Sequence, residues 1–130
     1  LYFDTLCKAA KTGLFDIMAH PDLIKKFNYW PNGPLEPYWQ QTAAVFKESK
    51  VAIELNSSGW HREVGKAYPE LGFLEACCKA GVPVTFGSDA HAPEEVGRDF
   101  KLAMETLKEA GYRQIAAFHK RSYTLVPIGV

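Results

Sequence analysis

The sequence has 130 residues, of which 47% are hydrophobic and 23% are charged, a composition typical of one soluble globular domain. Fifteen basic residues balance fifteen acidic ones, so no net charge would attract the chain to nucleic acid or to an anionic membrane. No apolar run approaches the roughly 18 residues that cross a membrane, and the N-terminus lacks a signal-peptide pattern. The sequence starts at Leu1 instead of Met, so we expect a fragment of a longer protein.

The cysteine content favours free thiols. Cys7, Cys77 and Cys78 make an odd count, and adjacent cysteines do not readily bridge to each other. Reduced thiols are usual in the cytoplasm, so we expect a cytoplasmic protein. Helical spacing places Cys78 on the buried side of its helix, and we expect neither a CxxC zinc site nor a nucleophilic thiol.

Hydrophobic periodicity predicts alternating helices and strands. Helical spacing covers residues 3–10, 36–49 and 69–80, and a longer segment that begins at Pro93 and ends before Gly111. Short apolar runs predict strands at residues 14–19, 51–55 and 82–86, followed by a short helix near 114–119 and a strand near 123–126. Because helices separate the strands, the sequence predicts an α/β fold with parallel strands. An open sheet and half of a closed barrel remain alternatives.

Polar side chains of the metal-ligand type follow each of the first three predicted strands. His20 follows the first strand, Glu54 and Asn56 end the second, and Asp89 and His91 follow the third. In parallel α/β folds the carboxyl ends of the strands form the edge where active sites are built. We therefore expect these side chains to share one site.

Asp89 and His91, in the segment GSDAH, form the most specific pattern. Residues two apart in an extended segment project to the same side, so a carboxylate and an imidazole can hold one cation. The alternative for Asp89 is the N-cap of the following helix. His20 is the third expected ligand, a hydrogen-bonded turn residue being its alternative. Asp22 either orients His20 or stabilises the turn.

Four further residues are expected to bind the substrate or its phosphate at the same edge. Glu54 and Asn56 share the strand face opposite the aliphatic side chains, and a glutamate facing the interior needs a cation or hydrogen-bond donors. A solvated strand end is the alternative for Glu54. Arg62, in the next loop, can bind phosphate oxygens in a bidentate manner, and Lys25 leaves the first strand end in the same direction. The alternative for both cations is an ordinary surface charge.

The segments AHPDLIKKF, IELNSSGWHRE, YPE and VPVTFGSDAHAPEEVG, in this order, closely resemble the polymerase and histidinol phosphatase (PHP) family, and more narrowly its histidinol-phosphate phosphatases. The resemblance runs from about residue 15 to the end of the chain. It implies a distorted (β/α)7 TIM-like barrel roughly twice this length, of which residues 1–130 are the C-terminal half of a single domain. It also implies two or three divalent metal ions: zinc, iron or manganese.

The resemblance assigns roles to individual residues. It implies that His20, Asp89 and His91 are catalytic metal ligands, and that Arg62 and Lys25 contact phosphate. The implied reaction is hydrolysis of L-histidinol phosphate in histidine biosynthesis. A nucleotide phosphoesterase or exonuclease of the same family and a non-catalytic scaffold domain are the alternatives.

The N-terminal part of the family's pattern is missing from this sequence. Its opening HxH pair and further ligands have no counterpart before residue 15. We therefore expect the isolated chain to be inactive. We also expect its open sheet edges to pair with the missing half or with another copy. Residues 27–37 predict a long loop, in which Tyr29 and Trp30 either stack on an imidazole or pack on the core.

Overall fold

Three parallel strands lie at the centre of the computed structural model, which describes residues 1–129. The strands are β1 (Ile17–Met18), β2 (Ala52–Asn56) and β3 (Val84–Gly87), in the order β1-β2-β3. Both pairings are parallel, with Ile53 of β2 opposite Met18 on one side and Val84 on the other. The predicted α/β fold with parallel strands is confirmed, although β1 is shorter than residues 14–19.

Four α-helices accompany the sheet: α1 (Tyr2–Lys11), α2 (Glu36–Glu48), α3 (Leu71–Ala80) and α4 (Phe100–Glu109). The first three agree with the predicted helices to within two residues. Gly81 ends α3 in the left-handed conformation, with φ of 78°, as the periodicity predicted. In the part of the chain that the structure describes, every helix is too short or too polar to cross a bilayer.

Aromatic and aliphatic side chains of α2, α3 and the sheet form the core. Phe46 and Phe73 are fully buried, as are Ile53 and Leu55 of the central strand. Phe73 stacks on Trp39 and on Phe46, with ring centroids 6.2 and 6.3 Å apart. These contacts hold α2 and α3 together on the sheet, so the strand ends start from a rigid base.

The prediction of one long helix after Pro93 is wrong. Pro93–Glu95 forms a 3-10 turn, and α4 begins only at Phe100. Between them Gly97 and Asp99 adopt left-handed backbones, with φ of 75° and 63°. Two left-handed residues interrupt helical hydrogen bonding, and they leave Val96, expected on the buried face, 74% exposed.

The predicted short helix at residues 114–119 is also wrong. Gln114–His119 is strand β4, which pairs antiparallel with β5 (Ser122–Pro127). Lys120 and Arg121 form the two-residue turn, with φ of 45° and 56°, the geometry that matches the twist of a hairpin. Neither turn residue is glycine or asparagine, so the usual sequence signal of a hairpin turn is missing there.

The buried thiol belongs to Cys77 and not to Cys78. Cys77 is fully buried in α3, whereas Cys78, the expected core residue, is half-buried. Burial raises the pKa of the Cys77 thiol, which disfavours the thiolate form. The core position in the helix is therefore displaced by one residue from the prediction.

Candidate functional site

The parallel register brings the predicted site segments to one edge of the sheet. Asn56 at the end of β2 lies opposite Gly87 at the end of β3. His20 comes two residues after Met18, the last residue of β1. Asp89 comes two residues after Gly87. The segments that carry the expected ligands therefore leave the sheet from its carboxyl edge.

The Glu54 carboxylate connects these three strand ends. Its Oε2 accepts a hydrogen bond from the backbone N–H of His20, at 3.1 Å, and another from Asn56 Nδ2, at 3.2 Å. Its Oε1 lies against Gly87, where an added methyl group would overlap the oxygen. The donors that a half-buried glutamate requires are thus a backbone amide and a neighbouring side chain.

Asn56 has its hydrogen bonds within the chain. The side chain is only 1% exposed, and its Oδ1 accepts from the Ser58 backbone N–H at 3.0 Å and from Ser58 Oγ at 2.6 Å. These bonds cap the 3-10 turn Ser57–His61. The expectation that Asn56 contacts phosphate is not supported, because the amide is buried and occupied; its role is to fix Glu54 and the following turn.

His20 and Asp89 both have left-handed backbones. Their φ angles are 32° and 50°, values that residues other than glycine seldom adopt. Such strain costs about 1–3 kcal/mol per residue and is concentrated at functional sites. The alternative interpretation of Asp89 as a helix N-cap is wrong, because Asp99 is the residue that precedes α4.

His91 faces its own turn. Its Nδ1 lies 2.7 Å from the carbonyl oxygen of Asp89, and its backbone N–H donates to Glu95 Oε2 at 2.7 Å. Within residues 1–129, no three His, Cys, Asp or Glu side chains form a group that could hold a metal ion. Metal binding by His20, Asp89 and His91 therefore stays a prediction, which concerns the whole protein and not residues 1–129 alone.

Lys25 is buried in an ion pair network and is not a surface charge. It is 3% exposed, and its Nζ lies 3.0 Å from both Asp22 Oδ2 and Glu70 Oε2. Asp22 Oδ2 also accepts the backbone N–H of Glu70 at 2.7 Å. The expected contact of Lys25 with phosphate is not supported, because two carboxylates already bind the ammonium. This buried ion network (Asp22, Lys25 and Glu70) joins the loop after β1 to the start of α3.

The two carboxylates of the buried ion network respond differently to their surroundings. Burial raises the pKa of Asp22 above its usual range, although Lys25 opposes the shift. Burial also acts to raise the pKa of Glu70, but the attraction of Lys25 and Lys66 outweighs it and holds that pKa below its usual range. Glu70 therefore stabilises the fold as a carboxylate, whereas ionisation of Asp22 depends on Lys25.

Tyr68 belongs to this region, although the sequence assigned no role to it. Its side chain is 1% exposed, and its hydroxyl has no hydrogen-bond partner in the described part of the chain. Burial raises the pKa of Tyr68; Arg62 opposes the shift, and the carboxylates of Asp22 and Asp89 add to it. The phenol thus lies within electrostatic reach of exposed Arg62 and of Asp89. Its only signal in the sequence was a tyrosine-proline pair after the loop that carries Arg62.

Because Glu54 lies so close to Gly87, we expect a methyl group added at position 87 to destabilise the fold. Gly87→Ala should lower the free energy of unfolding by about 1–3 kcal/mol, because the new Cβ displaces the carboxylate from its donors. Gly87 has no left-handed φ, so backbone strain does not contribute. Denaturant unfolding of a double-mutant cycle with Glu54→Ala provides the control. Equal costs of Gly87→Ala in the presence and absence of the carboxylate would contradict the steric explanation.

The buried ion network predicts a pH-dependent cost for removing Lys25. In Lys25→Met, Asp22 and Glu70 lose their cation and both pKa values rise. The loss in the free energy of unfolding is then greatest at pH values where both carboxylates are ionised. It becomes smaller as the pH falls through the two raised pKa values. We expect a loss of about 3–5 kcal/mol in the free energy of unfolding near pH 7, and a smaller loss near pH 4.

The matched control for that variant is Lys66→Met, because the Lys66 side chain is 55% exposed and its pair with Glu70 is screened by solvent. Its loss should stay below about 1 kcal/mol. Urea unfolding at the two pH values measures both variants. A Lys25→Met loss that is the same at both pH values would show that the lysine contributes packing alone.

The chain is similar to one family model and to several proteins whose names include the word phosphatase. A family model described as PHP-associated (PHP_C) matches residues 73–101, from α3 through β3 to the start of α4. A protein named probable histidinol-phosphatase from Deinococcus radiodurans is 34% identical over 120 residues, covering 92% of this chain and 45% of the relative.

Two further relatives agree. A probable phosphatase from Aeromonas hydrophila is 31% identical, covering 82% of this chain and 40% of the relative. A probable histidinol-phosphatase from Thermotoga maritima is 27% identical, covering 85% of this chain and 41% of the relative. The chain thus spans less than half the length of these curated relatives.

Proposed function

Because this chain belongs to the polymerase and histidinol phosphatase (PHP) family, in its histidinol-phosphatase branch, we propose that the whole protein hydrolyses L-histidinol phosphate in histidine biosynthesis. The observation that carries the proposal is the carboxyl edge of the sheet. There the Glu54 carboxylate holds the backbone of His20 and lies against Gly87, two residues before Asp89. Arg62 adds an exposed cation in the loop that follows β2.

We also propose that residues 1–130 are the C-terminal half of one distorted (β/α)7 barrel domain. The support is the strand order β1-β2-β3, which follows the sequence without reversal. Sequential parallel strands with intervening helices are the unit of a barrel, whereas doubly wound sheets reverse their order at a switch point. The site then lies where barrel enzymes build theirs, at the carboxyl ends of the strands.

The whole protein is proposed to bind two or three divalent ions: zinc, iron or manganese. His20, Asp89 and His91 are the ligands that this chain would contribute, since imidazole and carboxylate groups suit these metals. Residues 1–129 do not contain a complete site. The other ligands would belong to the part of the protein that corresponds to the uncovered length of the relatives.

Other side chains of this chain would bind the phosphate, transfer a proton or position these groups. Arg62 would bind two phosphate oxygens and neutralise the charge that develops on them. The buried hydroxyl of Tyr68 would donate a hydrogen bond to the same phosphate group. The phosphate would thus be the hydrogen-bond partner that this hydroxyl lacks within residues 1–129. Asp89 would transfer a proton to the departing alkoxide or orient the attacking water. Lys25 and Asn56 position these groups and do not touch the substrate.

One observation favours a different function. The lack of a complete metal-ligand group in residues 1–129 is also expected of a PHP-like scaffold domain that binds a partner without chemistry. The retained Asp89 and Arg62 favour catalysis, because a carboxylate after a strand end and an exposed cation in the neighbouring loop are groups that phosphate hydrolysis uses.

Substitutions at the carboxyl edge test the proposed function in the full-length protein. His20→Ala, Asp89→Asn and Arg62→Met should each lower kcat/KM for L-histidinol phosphate by about 100-fold or more. The first two variants remove a proposed metal ligand, and the third removes the proposed phosphate contact. His119→Ala is the control, since His119 is exposed in β4, outside the proposed site. Phosphate release measures the rates. Unchanged rates in the Asp89 and Arg62 variants would contradict the assignment.

The isolated 130-residue chain is expected to show no measurable phosphatase activity under the conditions in which the full-length protein is active. The physical reason is that an incomplete ligand set does not retain the metal ions. Metal analysis after gel filtration, together with the same phosphate assay, compares the two proteins. Activity of the isolated chain close to that of the full-length protein would show that these residues suffice for catalysis.

A further inference from the structure

An aromatic cavity of about 440 Å³ opens beside the loop that follows β1. Its walls come from the start of α1, from residues 22–35 and from the first turn of α2. The residues that define the aromatic cavity are Tyr2, Asp22, Tyr29, Trp30, Tyr38 and Trp39. Apolar walls with a few polar groups are typical of small-molecule sites.

Three of these rings present much of their surface to solvent. Tyr29 is 80% exposed, Tyr38 is 54% exposed and Trp30 is 41% exposed. Trp30 is nevertheless fixed in place, because its Nε1 donates to Asn28 Oδ1 at 2.8 Å and the Lys66 ammonium lies 5.2 Å from its ring centroid. The cavity therefore offers exposed aromatic surface beside a ring that is held in position.

One polar atom in this wall lacks a partner. Asp22 is 4% exposed, and its Oδ2 is bound by Lys25 and by the backbone N–H of Glu70. Its Oδ1 is buried and accepts no hydrogen bond from residues 1–129. A buried carboxylate oxygen without a donor costs stability until a donor reaches it. The cavity thus combines aromatic surface with one unsatisfied acceptor, which fits a flat ring that carries an N–H group.

We propose that the aromatic cavity binds the imidazole ring of the substrate, with the ring against Tyr29 and Tyr38 and its N–H donating to Asp22 Oδ1. This inference rests on the proposed function and names the part of the protein that selects the leaving group. Asp22, in the cavity wall, comes two residues after His20, whose backbone N–H bonds to Glu54 at the edge assigned to phosphate. The proposed ligand carries a ring at one end for the cavity and a phosphate at the other for that edge.

Titration calorimetry of the full-length protein with two partial ligands tests the inference. L-Histidinol carries the ring without the phosphate, and inorganic phosphate lacks the ring. Tyr29→Ala and Tyr38→Ala should each raise the Kd of L-histidinol about five- to tenfold, the effect of losing one aromatic contact, while the Kd of phosphate stays within about twofold. Tyr123→Ala is the matched control, since Tyr123 is 42% exposed but lies in β5.

Three results would overturn the inference. They are an unmeasurable affinity of the unsubstituted protein for L-histidinol, unchanged Kd values in both cavity variants, or an equal loss in Tyr123→Ala. Thermal melting checks that the exposed substitutions leave the fold intact. Turnover of L-histidinol phosphate is measured separately. Binding of L-histidinol that weakens in the cavity variants, without any hydrolysis, would support the ring site and refute the proposed phosphatase activity. Hydrolysis with unchanged L-histidinol binding in the cavity variants would support the phosphatase activity and refute the ring site.

Discussion

The carboxylate of Glu54 is the contact on which the arrangement of the strand ends depends. Glu54 lies two residues before the end of the central strand. Its carboxylate accepts hydrogen bonds from the backbone of His20 and from Asn56, and it occupies the space that Gly87 leaves open. A carboxylate there is stable only while these donors surround it. The contact therefore fixes the start of the loop after β1 relative to the start of the loop after β3. His20 and Asp89, which both have left-handed backbones, lie in the two loops that leave this junction.

A second group of charged residues connects the loop after β1 to the start of α3. The buried ion network crosses from the loop after β1 to the start of α3, and the aromatic cavity opens on its solvent side. Lys25 is thus enclosed by carboxylates, and the Tyr68 ring lies 5.5 Å from its ammonium. Arg62 is exposed, and it is the cation proposed to bind the phosphate. One residue of the network, Asp22, faces both the ion pairs and the aromatic cavity, which physically links the two proposed subsites.

Local sequence patterns were sufficient to predict several helices and strands, but not the contacts between residues that are far apart along the chain. Periodicity located β2, α2 and α3, and the parallel arrangement correctly placed the polar residues at one sheet edge. The hairpin at residues 114–127 was missed because short apolar runs suit a helix or a strand equally, and its turn contains lysine and arginine in place of glycine. The role of Lys25 was missed for another reason. Its partner Glu70 lies 45 residues away along the chain, and no local pattern reveals such a pairing.

The most direct test of the proposed metal site is a crystal structure of the full-length protein with zinc, with the ions located by anomalous scattering. We expect an ion about 2.0–2.2 Å from side-chain atoms of both His20 and Asp89, with the remaining ligands outside residues 1–130. Ions bound elsewhere, with His20 and Asp89 turned away from them, would refute the proposal that this sheet edge is one half of a metal-dependent phosphatase site.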